Sequence, residues 1–427
     1  MDRYTGLLGI VVLIGAAWAM SSHRTRINTR IVVGGVVLQA ILAVLMLRVP
    51  GVSAAFEYLA LGVTRVISFA DAGTAFLFGN AADAGGAWGF IFAVKVLPVI
   101  VFFASLMAVL YHLGIMPRVV AGMAWVMRRA MGVSGAEALS AAANVFVGQT
   151  EAPLCIRPYL ATMTRSQLMA VMTGGFATIA GSVLAAYVLK LGGDDESQRV
   201  LFAKHLITAS VMSAPAGFVF AKILCPETEP LPMEQADVSA EGSRATNVVD
   251  AAALGAGEGL RLALNVAAML VAFVSLLALL NWPLTALSAW GPVATWRAEH
   301  GLPEFSFQNI LGTILMPLAW CMGAPWGEAR ALGSLLGTQV VATEFVAYLG
   351  LSEHQAAGTL SPRTVQIATY ALCGFANLPS IAIQIGGLSA LAPTRRADLV
   401  ALAPRAMVAG AMACWSTACI AGVLIPA

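Results

Sequence analysis

Long apolar runs with few charged residues dominate this chain. A helix needs about 20 apolar residues to cross the roughly 30 Å hydrocarbon layer of a bilayer, and eight stretches approach or exceed that length. They are residues 5–21, 31–48, 88–113, 168–190, 203–224, 262–284, 364–390 and 400–425. The pattern predicts an all-α polytopic membrane protein with eight transmembrane helices.

Two further apolar regions, residues 135–163 and 310–349, are interrupted near their middles by glycine, proline and charged residues. Non-helical backbone at membrane depth is tolerated only inside protein or beside a water-filled cavity. These regions are therefore predicted to be two re-entrant hairpins. Stretches of mixed polarity at 51–70, 117–132 and 247–260 predict amphipathic interfacial helices.

A polar stretch from Cys225 to Asp250 divides the chain. It is rich in acids and contains three prolines, which favours a flexible loop. The predicted organisation has five parts: N-terminal spans and interfacial helices (1–134), a first hairpin and repeat (135–224), the polar loop with an interfacial helix (225–261), a scaffold span and connector (262–309), and a second hairpin and repeat (310–427).

Three arginine clusters lie near the ends of predicted spans. They are Arg24, Arg26 and Arg30; Arg118, Arg128 and Arg129; and Arg395, Arg396 and Arg405. With eight crossings all three fall on one face, which the positive-inside rule makes cytoplasmic, so both termini are predicted outside. The acidic loop 192–198, with Asp194, Asp195 and Glu196, then lies on the outer face. The first apolar run is interpreted as a retained span rather than a cleaved signal peptide.

Composition excludes several classes of protein. Charged residues make up 11% of the chain and hydrophobic residues 59%, against roughly 25% charged in soluble domains, which excludes an ordinary soluble enzyme. The net charge of +2 comes without a long basic run, so no nucleic-acid partner is expected. The six cysteines and five histidines show neither CxxC pairs nor metal-ligand spacing, so no disulfide framework and no zinc site are expected.

The two halves of the chain share a weak self-similarity. Thr150-Glu151 and Thr343-Glu344 each sit in a broken segment, and each is followed by a related helix motif, GFATIAGS from Gly175 and GFANLPS from Gly374. Because the hairpins enter from opposite faces, the repeat is inverted. Inverted repeats with discontinuous helices indicate a midplane binding site in secondary transporters. Pro379 strengthens this prediction, because proline removes a backbone donor and frees carbonyls.

Glu151 and Glu344 are the strongest candidates for function. A charge at the bilayer centre costs roughly 2.5 kcal/mol or more, so both are expected to face a wet cavity. The alternative is that each is a structural acid paired with a nearby arginine such as Arg157 or Arg330.

Donors and acceptors around the glutamates indicate the kind of solute. Gln149, Asn377, Thr150 and Ser380 can donate as well as accept, whereas a carboxylate only accepts. This mixture suits a neutral, polyhydroxylated solute, and organic anions are disfavoured.

The sequence resembles the concentrative nucleoside transporter family. The motifs that carry the resemblance are NVFVGQTEAPL from Asn144, GGFATIAGS from Gly174, TEFVAY from Thr343 and GFANLPSIAIQIGG from Gly374. The resemblance implies a homotrimer in which a central scaffold holds three mobile units, each carrying nucleoside by an elevator-like movement.

The resemblance also implies a substrate site. Gln149, Thr150 and Glu151 would meet the nucleobase, and Glu344, Asn377 and Ser380 would bind the ribose hydroxyls. Phe375 would pack against the base and Val183 would line the pocket, although ordinary helix packing explains these two nearly as well.

The implied sodium ligands are the side-chain oxygens of Asn144 and Thr178 and the backbone carbonyls of Val147 and Ile179. Uncharged oxygens suit a hard cation that must bind and leave in each cycle. Beyond sodium as coupling ion, no cofactor is expected.

Three positions depart from the family pattern: Pro379 stands where serine is expected, and Gln339 and Thr343 stand where lysine and asparagine are expected. They leave the hydrogen-bonding set intact and bear on fine selectivity.

The resulting hypothesis is sodium-coupled uptake of nucleosides, with uridine and cytidine as the leading substrates and adenosine as a further candidate, across a bacterial inner membrane. Proton coupling through Glu151 or Glu344 is the main alternative. A channel and an intramembrane enzyme are weaker ones, and no HExxH or GxSxG motif supports an enzyme.

Overall fold

The computed structural model describes residues 4–82, 91–193, 195–229, 245–300 and 304–426. Within these ranges the regular structure is entirely helical, with eighteen α-helices and short 3-10 segments between some of them. The helices are α1 (Thr5–Ala19), α2 (Thr29–Arg48), α3 (Pro50–Phe78), α4 (Phe92–Lys95), α5 (Leu97–His112), α6 (Ile115–Met131), α7 (Gly135–Asn144), α8 (Arg165–Ala177), α9 (Gly181–Gly192), α10 (Glu196–Leu224), α11 (Val248–Ala289), α12 (Gly291–Glu299), α13 (Phe307–Cys321), α14 (Trp326–Val341), α15 (Glu344–Ala356), α16 (Pro362–Ala371), α17 (Leu378–Leu391) and α18 (Arg396–Leu424). The predicted all-α class is confirmed.

Parts of three expectations lie outside the described residues. They are the beginning of the expected third span at 88–90, Asp194 of the acidic loop, and the middle of the polar loop at 230–244.

Seven helical segments of the described chain are long and apolar enough to cross a membrane: Thr29–Arg48, Pro50–Ala82, Ala93–His112, Arg165–Gly192, Glu196–Leu224, Val248–Ala289 and Pro393–Leu424. The bent pair α13 and α14 raises the number to eight if it counts as one span. Two of the eight predicted spans differ: α1 has only 15 residues, and 364–390 is divided into α16 and α17. Conversely, the region predicted to be interfacial at 51–70 lies within α3, which has 29 residues.

Burial separates inner helices from outer ones. The apolar windows of α8 with α9, of α10 and of the segment containing α18 are 94%, 89% and 78% buried, against 11% for α11 and 17% for the segment containing α3. The outer helices α5 and α11 pack closely through Gly255 and Gly259, since a Cβ at either glycine would lie within 3.0 Å of α5 atoms. Small residues at such spacing let two membrane helices approach.

Both broken regions interrupt helices where the sequence predicts it. In the first, α7 ends at Asn144, irregular backbone follows, and a 3-10 segment covers Ala152–Tyr159. In the second, α13 and α14 are bent by 119° at their junction, and extended backbone at Thr343 separates α14 from α15. Irregular backbone at these points leaves polar groups that neighbouring elements or a ligand must satisfy.

A buried ionic network joins α7, α8 and α10 at one end of the bundle. Lys222 Nζ lies 2.5 Å from Glu137 Oε1 and 3.8 Å from Glu227 Oε2, and it donates to Ser166 Oγ at 3.1 Å. Thr164 Oγ1 donates to Glu227 Oε2 at 2.8 Å. Charges at this depth persist because each is paired and hydrogen-bonded. The network holds the start of the first hairpin against the end of α10.

The arginine clusters meet at this same end. Arg30 Nη2 donates to the carbonyl of Arg129 at 3.3 Å, which joins the first cluster to the second. Arg395 Nη1 donates to the carbonyl of Ala161 at 3.2 Å, next to the start of α8, which brings the third cluster there. A shared face is what the crossing count predicts for all three clusters.

We expect Lys222→Met to destabilise the protein by about 3 kcal/mol, because removing one member of a buried pair leaves an uncompensated charge. The matched control is Lys204→Met on the same helix. Lys204 pairs at 3.9 Å with Glu57, whose side chain is 58% exposed, so its loss should cost under about 1 kcal/mol. Unfolding in denaturant measures both variants, and equal stabilities would contradict a structural role for the network.

Candidate functional site

Glu344 is a buried carboxylate at the first position of α15, and it is 6% exposed. The hydroxyl of Tyr187 donates to Oε1 at 2.9 Å, and the amide nitrogen of Asn377 donates to Oε2 at 2.7 Å. The N-terminus of a helix also favours a negative charge. Three features of the fold therefore orient this carboxylate.

Asn377 serves two helices at once. Its Oδ1 caps α17 by accepting from the backbone N–H of Ser380 at 2.9 Å, while its nitrogen reaches Glu344. Pro379 lies in the first turn of α17, where a missing N–H costs nothing. Pro379 thus favours the beginning of α17 at this point. The break consists of the residues between α16 and α17.

Gln339 and Thr343, which depart from the family pattern, have clear local roles. Gln339 Nε2 donates to the carbonyls of Leu372 at 3.2 Å and Gly374 at 3.0 Å, and so satisfies acceptors in the break before α17. The Thr343 side chain caps α15 by accepting from the N–H of Val346 at 3.2 Å. Asparagine and threonine both serve as N-caps.

The tip of the first hairpin carries Gln149, Thr150 and Glu151. Thr150 Oγ1 donates to Glu151 Oε1 at 3.0 Å, and Gln149 is 7% exposed, with no hydrogen-bond partner for its Oε1 among the described residues. The Glu151 carboxylate lies close to the position of a Cβ on Gly148, so a side chain there would displace it.

Neither Glu151 nor Glu344 has an ion-pair partner within 4.0 Å among the described residues. The alternative of structural acids paired with Arg157 or Arg330 is not supported. Both carboxylates keep acceptor capacity for a ligand.

The two sets of predicted substrate residues approach one another along α17. Asn377 and Ser380 stand at its N-terminal end, and Gly387 lies further along beside Thr150, whose Cγ2 is 3.1 Å from the position of a Cβ on that glycine. Val183, 2% exposed, lies on α9 one turn before Tyr187. Phe375 is partly buried in the break before α17.

The predicted sodium ligands gather where α7 ends and α8 breaks from α9. Asn144 is 1% exposed, and neither Oδ1 nor Nδ2 has a partner among the described residues. The position of a Cβ on Gly174 is 3.5 Å from Asn144 Nδ2, and Thr178 Oγ1 donates to the carbonyl of Gly174 at 3.0 Å. The Gly181 N–H donates to the carbonyl of Phe146 at 3.0 Å, which ties the hairpin tip to this break.

Within the described part of the chain, the backbone carbonyls of Val147 and Ile179 accept no backbone hydrogen bond. Together with Asn144 and Thr178 they offer neutral oxygens, which fits a hard monovalent cation. No group of three or more His, Cys, Asp or Glu side chains able to hold a metal occurs among the described residues.

Tyr187 is a site residue that sequence reasoning missed. Its ring stacks on Tyr348 with centroids 4.1 Å apart and lies 5.3 Å from Phe345, so the phenol is rigidly aimed at Glu344. Its position four residues after Val183, one helical turn, was the available signal.

Family models match most of the chain. Residues 8–81 match "Na+ dependent nucleoside transporter N-terminus", residues 93–194 match "Nucleoside recognition", and residues 205–422 match "Na+ dependent nucleoside transporter C-terminus".

Two bacterial relatives match over nearly their full length, and a longer animal relative matches over part of its length. The chain is 44% identical to an uncharacterized transporter of Haemophilus influenzae, covering 100% of this chain and 98% of the relative. It is 42% identical to the nucleoside permease NupC of Helicobacter pylori, covering 98% and 97%. It is also 42% identical to solute carrier family 28 member 3 of Eptatretus stoutii, covering 97% of this chain and 60% of that longer protein.

Solved structures agree with these matches. An inward-facing, substrate-bound structure of CNTnw has 43% identity and a TM-score of 0.89, covering 99% of this chain and 98% of that one. An outward-facing CNTnw variant has 42% identity and a TM-score of 0.88, with the same coverage.

Proposed function

The chain belongs to the concentrative nucleoside transporter family, and from this premise we propose that it imports nucleosides by sodium symport across a bacterial inner membrane. The resemblance predicted from the motifs is thereby confirmed. The named relatives are nucleoside transporters and permeases rather than enzymes, so the protein is a transporter and not an intramembrane enzyme.

The observation that carries the substrate proposal is the buried carboxylate of Glu344, held by Tyr187 and Asn377 with no countercharge. Each carboxylate oxygen keeps a lone pair for a ribose hydroxyl. Ser380, at 3% exposure, supplies a hydroxyl beside it. Gln149, Thr150 and Glu151 form the complementary set for the nucleobase, with Phe375 and Val183 as its apolar walls.

Sodium coupling is supported by the neutral oxygens of Asn144, Val147, Thr178 and Ile179 and by the family description. Proton coupling is the second candidate, because Glu151 and Glu344 are both buried or partly buried without an ion-pair partner. A sodium ion between the first tip and the α8–α9 break would order Gln149, Thr150 and Glu151. Coupling requires this differential stabilisation of the substrate-competent state.

We further propose an elevator-type alternating-access mechanism. Neighbouring structures exist in inward-facing and outward-facing states, and the bundle divides into buried inner helices and exposed outer ones. One charge moved through 100 mV yields about 2.3 kcal/mol, and a tenfold sodium gradient adds roughly 1.4 kcal/mol. One ion per cycle therefore supports accumulation on the order of several hundredfold.

The exposed outer helices fit a homotrimer. The long apolar helix α11 is only 11% buried within one chain, and it packs with α5 into a paired surface open to lipid or to other copies. The end of the bundle that carries the three arginine clusters would face the cytoplasm by the positive-inside rule, and both termini would then lie outside.

Uridine uptake into vesicles is expected to require sodium. At fixed pH, replacing sodium by choline should reduce the accumulation of labelled uridine at least about tenfold, because the membrane potential and the sodium gradient then no longer drive transport. Recovered uridine should be chemically unchanged. Undiminished uptake in choline that collapses with the proton gradient would instead establish proton coupling.

A further inference from the structure

Gln384 carries a buried side-chain amide on α17, one helical turn beyond Ser380. This amide has no part in the substrate and sodium sites described above. It is 1% exposed. Its Nε2 donates to the carbonyl of Met172 in α8 at 2.9 Å, which orients the amide plane. Its Oε1 has no hydrogen-bond partner among the described residues.

The amide lies against the first hairpin tip. A Cβ on Gly175 would stand less than 3.0 Å from both Gln384 Nε2 and Gln149 Cβ, so α8 carries no side chain where α17 and the tip approach. One turn further along α17, Gly387 lies beside Thr150. Gln384 therefore stands at the junction of the proposed sugar subsite and the proposed base subsite.

Two amide oxygens are left unpaired at this junction, Oε1 of Gln384 and Oε1 of Gln149. Buried acceptors are rarely left without a donor, because an unmade hydrogen bond is expensive. A ligand that donates hydrogen bonds to both oxygens must carry N–H donors at one edge of a compact, otherwise apolar group. The Watson–Crick edge of a nucleobase has this chemistry, through the ring N–H of uracil or the amino group of cytosine and adenine.

We propose that Gln384 is a specificity-determining residue whose Oε1 accepts a hydrogen bond from an N–H group of the nucleobase, alongside Gln149. This inference rests on the proposed nucleoside transport. It assigns recognition of the base to α17 as well as to the first hairpin. One face of α17 would then contact both the ribose and the nucleobase.

The test compares nucleosides that differ only in the base donor. Cytidine and its analogue without the 4-amino group, the pyrimidin-2-one riboside, share one ribose, while 2′-deoxycytidine reports on the sugar. Their affinities are measured by competition binding to the purified full chain in sodium. In the unmodified protein we expect cytidine to be preferred over the pyrimidin-2-one riboside by at least about tenfold.

Gln384→Met keeps the length of the side chain and removes the amide. We expect the preference for cytidine over the pyrimidin-2-one riboside to fall below about threefold, with the preference for cytidine over 2′-deoxycytidine unchanged. The control is Gln39→Met, a buried amide of α2 that hydrogen-bonds to Thr417 and Ser416 and should leave both ratios as they are.

Gln384→Glu separates recognition from tethering, because it keeps an acceptor and removes the donor to Met172. It should lower thermal stability and retain the base preference. If Gln384→Met weakens all ligands equally and keeps the base preference, Gln384 only tethers α17 to α8 and the inference is wrong. If the unmodified protein binds no nucleoside, the proposed function itself fails.

Discussion

Replacing Glu344 by glutamine will reduce nucleoside transport by roughly a thousandfold. The carboxylate accepts from Tyr187 at one oxygen and from Asn377 at the other. Glutamine offers a single acceptor oxygen, so its NH2 group would face one of these two donors. Losing two charge-assisted hydrogen bonds to ribose at roughly 2 kcal/mol each removes about 4 kcal/mol of binding.

The matched control is Glu353→Gln, an exposed glutamate on the same helix. It makes the same chemical change away from the site and should transport as the unmodified protein does. Labelled uridine uptake and equilibrium binding are measured for both variants. Affinity in Glu344→Gln equal to that of the unmodified protein would remove Glu344 from the sugar subsite and with it the main support for the substrate proposal.

Replacing Asn144 by leucine will abolish the response to sodium. Both polar atoms of Asn144 lack a partner among the described residues, so this isosteric change strips no neighbour of its hydrogen bond. The variant should therefore be at least as stable as the unmodified protein in sodium-free buffer. A ligand stabilises the state it binds, so the rise in melting temperature that sodium causes should disappear, together with sodium-dependent uridine uptake.

Gln39→Met is the control, for which we expect lower stability and an unchanged response to sodium. Gln39 is fully buried and bonded on both sides, so its loss leaves orphaned hydroxyls and lowers stability, while the shift with sodium remains. An Asn144→Leu protein that still melts at a higher temperature in sodium would place the ion elsewhere. If sodium shifts neither the unmodified protein nor Gln39→Met, proton coupling becomes the better hypothesis.

The breaks in the two hairpins were predictable because their sequence signals are local. A glutamate inside an otherwise apolar stretch cannot continue as a lipid-facing helix, and the structure interrupts its helices at both places. Overall hydropathy counts 364–390 as one crossing, whereas Pro379 indicates the break that the structure has before α17. Tyr187 and Gln384 were not predicted as site residues. A single polar residue in an apolar helix gives no sequence signal beyond its spacing of one turn from a predicted site residue.

The sequence by itself determined the helical membrane class, the family and the residue types at the two breaks, because hydropathy and motif chemistry are written along the chain. Only the tertiary structure decided which groups meet: Tyr187 and Asn377 on Glu344, Gln339 on the carbonyls before α17, and Gln384 beside Gln149. These contacts join residues far apart in the chain, and nothing local encodes them. They depend on how closely the inner helices pack, which glycines such as Gly175 permit by leaving room that any side chain would fill.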